Sequence, residues 1–203
     1  LDEKLYNSPA MALSVTMKAV AAAGRLAHLN FERGCQVLAK YDPVLAAEID
    51  KDEDCIDQFT DNSDRFLIGL SKVVETEADD RQLDMLMQTV PNFERIGDYA
   101  TNMVELAQRL QSENAAFSDM AKKELALITQ AVNEILEITV DAFSRDDNEA
   151  AKAIEPLEET IDDMIMMLKD RHTKRLKNGQ CSIASGLVFM EALTYFERAS
   201  DQC

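Results

Sequence analysis

Phe93-Glu94-Arg95-Ile96-Gly97-Asp98 is answered 103 residues later by Phe196-Glu197-Arg198-Ala199-Ser200-Asp201, with Phe, Glu, Arg and Asp at identical spacing. A second pair behaves in the same way: Glu53-Asp54-Cys55-Ile56-Asp57 and Glu158-Glu159-Thr160-Ile161-Asp162 lie at an offset of 105. Two motifs repeated in the same order at nearly the same distance mark an internal duplication. Outward from them, apolar periodicity with cap and breaker signals divides the chain into six helical stretches. These run from about Pro9 to Leu38, Val44 to Leu70, Asp79 to Leu110, Asp119 to Ser144, Asn148 to Lys177, and Ser182 to Cys203. Pro91 predicts a kink or break inside the third, and Lys177-Asn178-Gly179 has the basic residue and glycine that close a helix. The expectation is an all-α protein of two internally repeated three-helix bundles packed side by side, six long helices in all. Residues 1–114 form the first repeat, and residues 115–203 the second, whose last helix is still running at Cys203 and reads as truncated.

Composition agrees with long helices, since the 203 residues include only six Gly, four Pro and no Trp. A formal net charge of −17 repels nucleic-acid backbones and anionic lipid, so cations or basic protein surfaces are the better partners. Cys35, Cys55, Cys181 and Cys203 form no C-x-x-C pair, which argues against a thiolate zinc site and for a reducing compartment. No run of about 18 apolar residues and no basic-then-apolar leader is evident, so the segment is expected neither to span a membrane nor to be secreted. The start at Leu1 rather than Met suggests a domain cut from a longer chain.

Residues four apart on a helix share a face, so Glu53/Asp57, Glu94/Asp98, Glu158/Asp162 and Glu197/Asp201 each present adjacent carboxylates. Such clusters need a cation, an Arg or a proton to offset their repulsion, and oxygen-rich shells suit magnesium, manganese, calcium, iron and, with fewer ligands, zinc. With 38 acids in 203 residues, roughly seven such pairs arise by chance, and salt bridges to Arg95 and Arg198 explain any single one. Recurrence in matching places is what favours metal binding. No Glu-x-x-His of the di-iron bundle type occurs. Each of the two histidines, His28 and His172, reads as structural or surface-borne. Without a placed histidine or nucleophile the chain is expected not to be an enzyme. The clusters Met85/Met87 and Met164/Met166/Met167 read as core filler. The basic run Lys169, Arg171, Lys174, Arg175 and Lys177 is either a dipole-compatible helix end or a contact for phosphate or lipid headgroups.

The stretch Glu94-Arg95-Ile96-Gly97-Asp98-Tyr99-Ala100-Thr101-Asn102 resembles the signature of PhoU-type proteins, a Glu-Arg-Ile-x-Asp core followed by Asn. Glu197-Arg198-Ala199-Ser200-Asp201 is similar, and its Asn counterpart would fall beyond the chain. Glu53-x-x-Ile56-Asp57 and Glu158-x-x-Ile161-Asp162 extend the resemblance to both halves. It implies two three-helix bundles that bind metal ions (iron, zinc, manganese or magnesium) through Glu53, Asp57, Glu94 and Asp98, with Asn102 assisting, and through Glu158, Asp162, Glu197 and Asp201. The opening Leu1-Asp2-Glu3-Lys4-Leu5-x-x-x-Pro9-x-x-Ala12-Leu13 further resembles the junction in bacterial sodium/phosphate cotransporter-like proteins. That resemblance implies a membrane-associated cytoplasmic domain, at the inner face of the inner membrane, that modulates phosphate uptake. Its partner would be the transmembrane part of the same polypeptide, with phosphate bound through metal, no nucleic acid, and room for a homo-oligomer. A free-standing PhoU-type regulator, a carboxylate-bridged metallohydrolase and a metal-free helical adaptor are the alternatives.

Overall fold

The computed structural model describes all residues from Leu1 to Cys203, and every regular element is helical. A 3-10 turn, Glu3–Asn7, precedes α1 (Pro9–Ala39), α2 (Pro43–Leu70), α3 (Glu77–Ser112), α4 (Asp119–Arg145), the single turn α5 (Asn148–Ala151), α6 (Ile154–Lys177) and α7 (Ile183–Asp201). The boundaries follow local chemistry. Pro9 and Pro43 open α1 and α2, where a missing N–H costs nothing. Asp42, Thr76, Ser118 and Ser182 cap α2, α3, α4 and α7 by accepting from first-turn amides. The turns after α3, α4 and α6 each pass through one left-handed residue, Asn114, Asp146 or Gly179. In each case the next amide reaches back to a carbonyl of the last turn, as Gln180 N does to Arg175 O at 2.9 Å.

Helices α1, α2 and α3 pack on one another, as do α4, α6 and α7; the halves meet where α1 crosses α4 and α3 crosses α7. Helices α2 and α6 therefore lie on the outside, each touching long helices of its own half only. The motif phenylalanines fasten the seam. Phe93 of α3 meets Phe143 of α4 edge-on at 5.5 Å, and Phe196 of α7 meets Phe31 of α1 at 5.8 Å. Each repeat thus inserts its motif ring against the first helix of the other half. Gly24 of α1 admits Phe93, because a Cβ there would fall 2.5 Å from the ring. One apolar cluster of 36 buried residues runs through both halves, so the two bundles share a core.

Three expectations need correction. The fifth stretch is two pieces: a continuous helix would drive the Pro156 ring into the carbonyl of Lys152, so α5 stops at Ala151 and α6 restarts at Ile154 with Pro156 in its first turn. Pro91, by contrast, lies within an α3 that continues to Ser112, so of the expected kink or break the break does not occur. Helix α1 is long and apolar enough by length and composition to cross a membrane, but Lys18 and Arg25 interrupt its apolar sequence, in keeping with the expected absence of an 18-residue apolar run, and it packs against α2, α3 and α4. Finally, Met87, Met166 and Met167 are exposed, because Ile161, Ile165, Leu168 and His172 take the inner stripe of α6, as Leu83, Leu86 and Val90 take that of α3.

Candidate metal centre

On α2 the inward stripe runs Ile49, Ile56, Thr60, Ser63, and Glu53 occupies the step between Ile49 and Ile56. Its side chain is thereby held against α3. Both carboxylate oxygens of Glu53 are shielded from solvent and have no hydrogen-bond partner. The neighbour that makes room is Gly97: a Cβ there would lie 2.8 Å from Oε2 of Glu53 and 3.2 Å from Ile56 Cδ1. One turn along α2 is Asp57, and across on α3 is Asp98. One carboxylate oxygen from each of Glu53, Asp57 and Asp98 lies within 4.8 Å of the others. A single cation with oxygen ligands at about 2.0–2.6 Å spans such a gap.

The second half repeats the arrangement. Glu158 and Asp162 of α6 and Asp201 of α7 also bring three carboxylate oxygens within 4.8 Å of one another, and Asp162 Oδ1 is buried without a partner. Where the first half has Gly97, this half has Ser200, fully buried with its hydroxyl unpaired.

Electrostatics show crowded, partly desolvated carboxylates at both sites. Burial, followed by the nearby carboxyl of Asp98 and the charges of Asp57 and Glu94, pushes Glu53 up to about 8. Burial and then Asp98 raise Asp57 and Glu94. Burial and then Asp162 raise Glu158 and Asp201. Arg95 and Arg198, the obvious counter-ions by sequence, are exposed and make no ion pair; a bound cation would supply what they do not. The all-carboxylate donor set suits a hard divalent or trivalent ion.

The expected residues are not all brought together. Glu94 stands beside the first triad, close enough to feel Asp98, Asp57, Asp64 and Asp61, but outside the three that converge. Glu197 turns instead to Lys169, whose Nζ donates to it at 2.6 Å. Asn102 is half-buried one turn beyond Asp98 and makes no side-chain hydrogen bond. Asp61 and Asp64 were not singled out as ligands, although their spacing after Asp57 continues the acidic edge of α2. Both histidines are engaged elsewhere: His28 Nε2 lies 3.2 Å from Asn133 Oδ1, and buried His172 stacks on Phe189 at 4.3 Å.

Sequence reading also missed a buried ion pair near the C-terminal end of α6. Arg175 donates through Nη1 and Nη2 to Glu124 of α4, at 2.9 and 2.5 Å, and its Nη2 lies 3.0 Å from His172 Nδ1. The partners are 51 residues apart, a separation that no local pattern reveals.

Comparison with known proteins identifies the family. The PhoU domain family matches residues 20–107 and 125–203. The phosphate-specific transport system accessory protein PhoU homolog of Aquifex aeolicus is 25% identical over 158 residues, covering 77% of this chain and 70% of that protein. The crystal structure of PhoU from Pseudomonas aeruginosa superposes with a TM-score of 0.85 at 23% identity, covering 97% of this chain and 92% of the other. The phosphate transport system regulatory protein PhoU from Streptococcus pneumoniae gives 0.84 at 20% identity, with 96% and 91% covered.

Proposed function

The chain belongs to the PhoU family, and from that premise we propose that it is a non-enzymatic regulator of phosphate transport that carries two metal centres. The observation that carries the metal reading is the pair of carboxylate triads, Glu53/Asp57/Asp98 and Glu158/Asp162/Asp201, one on each repeat. Glu53 adds the strongest local support, because a buried carboxylate without a partner is costly unless a cation or proton accompanies it. Glu94 and Glu197 flank the triads, and Asn102 follows the first; these three are proposed as outer ligands reached after modest side-chain rotation. The metal is a divalent or trivalent ion, of which iron, zinc, manganese and magnesium are the candidates. It would fix α2 against α3 and α6 against α7, and offer phosphate a positively charged contact on an acidic protein.

The regulatory assignment rests on the family and on the Aquifex aeolicus relative's description as a phosphate-transport accessory protein. We infer from it a cytoplasmic chain acting on a transporter made as a separate polypeptide. The second reading, a domain fused behind the transmembrane part of a sodium-dependent phosphate transporter, rests on the opening segment Leu1 to Leu13. Transmembrane helices encoded upstream of Leu1 would establish it. Residues 1–114 and 115–203 are proposed as the two repeats of one regulatory unit.

Elemental analysis of protein purified without affinity metal or chelator tests the centres. Asp57→Asn/Asp98→Asn and Glu158→Gln/Asp201→Asn should each remove about half the bound metal, as expected for independent, equivalent sites. Metal content unchanged in the combined variant would sink the reading. Phosphate uptake in cells carrying the variants then tests regulation, and phosphomonoester turnover by the purified protein would favour a metallohydrolase instead.

A further inference from the structure

The basic run on α6 faces a second chemistry. Ser118, Met120, Arg171, Lys174, Arg175 and Gln180 line an open surface pocket of about 380 Å³ where the start of α4 meets the end of α6. Three of its six walls are cationic in a chain whose net charge is −17. Arg175 is 9% exposed and keeps its Nε–H buried without an acceptor. Its Nη1 donates to Glu124 and its Nη2 to Glu124 and His172, so its planar head is locked in place. Arg171 bonds Glu124 through Nε at 3.1 Å, and its Nη2 meets only Met120 Sδ, at 3.9 Å. Lys174 is exposed and has no ion-pair partner.

Helix α4 contributes its positive end. Ser118 accepts from Ala121 N at 3.2 Å, while the amides of Asp119 and Met120 make no hydrogen bond within the chain. The nearby acidic groups are Glu124, engaged by the two arginines, exposed Asp119 in the first turn of α4, and exposed Asp170, one turn before Lys174 on α6 and not paired with it. None of these carboxylates lines the pocket, whose charged walls are all cationic. The pocket lies about 18 Å along α6 from Asp162, at 1.5 Å per residue, and is separate from the triads.

We propose that this pocket binds a phosphate-type oxyanion, received by Arg171 and Lys174 over the fixed Arg175 guanidinium and the free amides that open α4. Guanidinium forks and helix N-termini are matched to the tetrahedral oxygens of phosphate. Binding here needs no metal, which sets this site apart from any phosphate held by the carboxylate centres. The source of the phosphate group is either the free ion or a phosphomonoester headgroup.

The test is calorimetric titration of chelator-treated full-length chain with inorganic phosphate, beside co-sedimentation with phosphatidylcholine vesicles containing phosphatidic acid. Saturable binding of inorganic phosphate, weakened at least about tenfold in Arg171→Gln/Lys174→Gln and retained in Asp57→Asn/Asp98→Asn, is the expected result and identifies the free ion. Vesicle binding alone, lost in the same double variant, supports the site with a lipid phosphomonoester as its ligand. Because Arg171 also pairs with buried Glu124, Lys174→Gln alone, at an exposed side chain with no ion pair, serves as the second variant and should weaken binding in the same direction. Binding to neither probe, or equal binding by wild type and the double variant, overturns the proposal.

Discussion

Replacing Gly97 by alanine separates the metal centre from the fold that surrounds it. The new methyl carbon would sit 2.8 Å from Glu53 Oε2 and 3.3 Å from Oε1. An ordinary carbon–oxygen contact is about 3.4 Å, so the carboxylate must retreat by roughly 0.6 Å, several times the ~0.2 Å tolerance of a metal–ligand bond. The neighbouring backbone does not have to move, because the obstructing atoms are the far end of a flexible side chain. Alanine also suits a helix interior better than glycine, by about 1 kcal/mol, which offsets the cost of displacing Glu53. Stability of the metal-free protein should therefore change by less than about 1 kcal/mol, or under about 4 °C in Tm. Metal affinity at the first centre should fall roughly 10- to 100-fold, a loss of about 1.4–2.8 kcal/mol. Competitive titration with a chromophoric chelator reads the affinity, and thermal unfolding with chelator reads the fold. Gly24→Ala is the control: it strikes the Phe93 ring at 2.5 Å and should lower Tm without selectively weakening metal binding. A Gly97→Ala protein that binds metal within twofold of wild type would refute Glu53 as a ligand in this geometry.

The raised Glu53 carboxyl gives a pH signature. A proton retained up to about 8 in the folded state, against about 4.3 unfolded, stabilises the metal-free protein fully below about 4.3 and is lost as pH rises through about 8. Tm of chelator-treated protein should accordingly fall between pH 5.5 and 8.5, Glu53→Gln should flatten that fall, and metal binding should release protons measurable in buffers of different ionisation enthalpy. Glu124→Ala leaves the Arg175 head, 9% exposed, without its bidentate partner; chemical denaturation should show a loss of about 3–5 kcal/mol. The Arg109–Glu191 pair joins α3 to α7 at 2.7 Å, but both side chains are about 40% exposed, so Arg109→Met should cost under about 1 kcal/mol in the same assay. Phe196→Ala removes a ring buried to 0% against Phe31 and should cost about 3–5 kcal/mol, seen as a lower denaturation midpoint.

Reading the chain in one dimension determined the helical class, the duplication and the acidic motif pairs, because helix period and i,i+4 spacing are local geometry written directly into residue order. Glu53/Asp57 and Glu158/Asp162 share faces for that reason alone. Which motif member crosses to meet them was decided by tertiary packing. The position of α3 against α2 selects Asp98 and leaves Glu94 at the edge, while α7 selects Asp201 and the nearby Lys169 draws Glu197 away. The role of Phe93 and Phe196 was equally hidden, since their partners Phe143 and Phe31 belong to the opposite half. Arg175 looked like one member of a basic helix end until folding placed Glu124 against it and formed the pocket beside them. Burial, the pairing of distant charges and the convergence of side chains from different helices depend on how helices are placed in three dimensions, and sequence spacing along any one of them does not encode that placement.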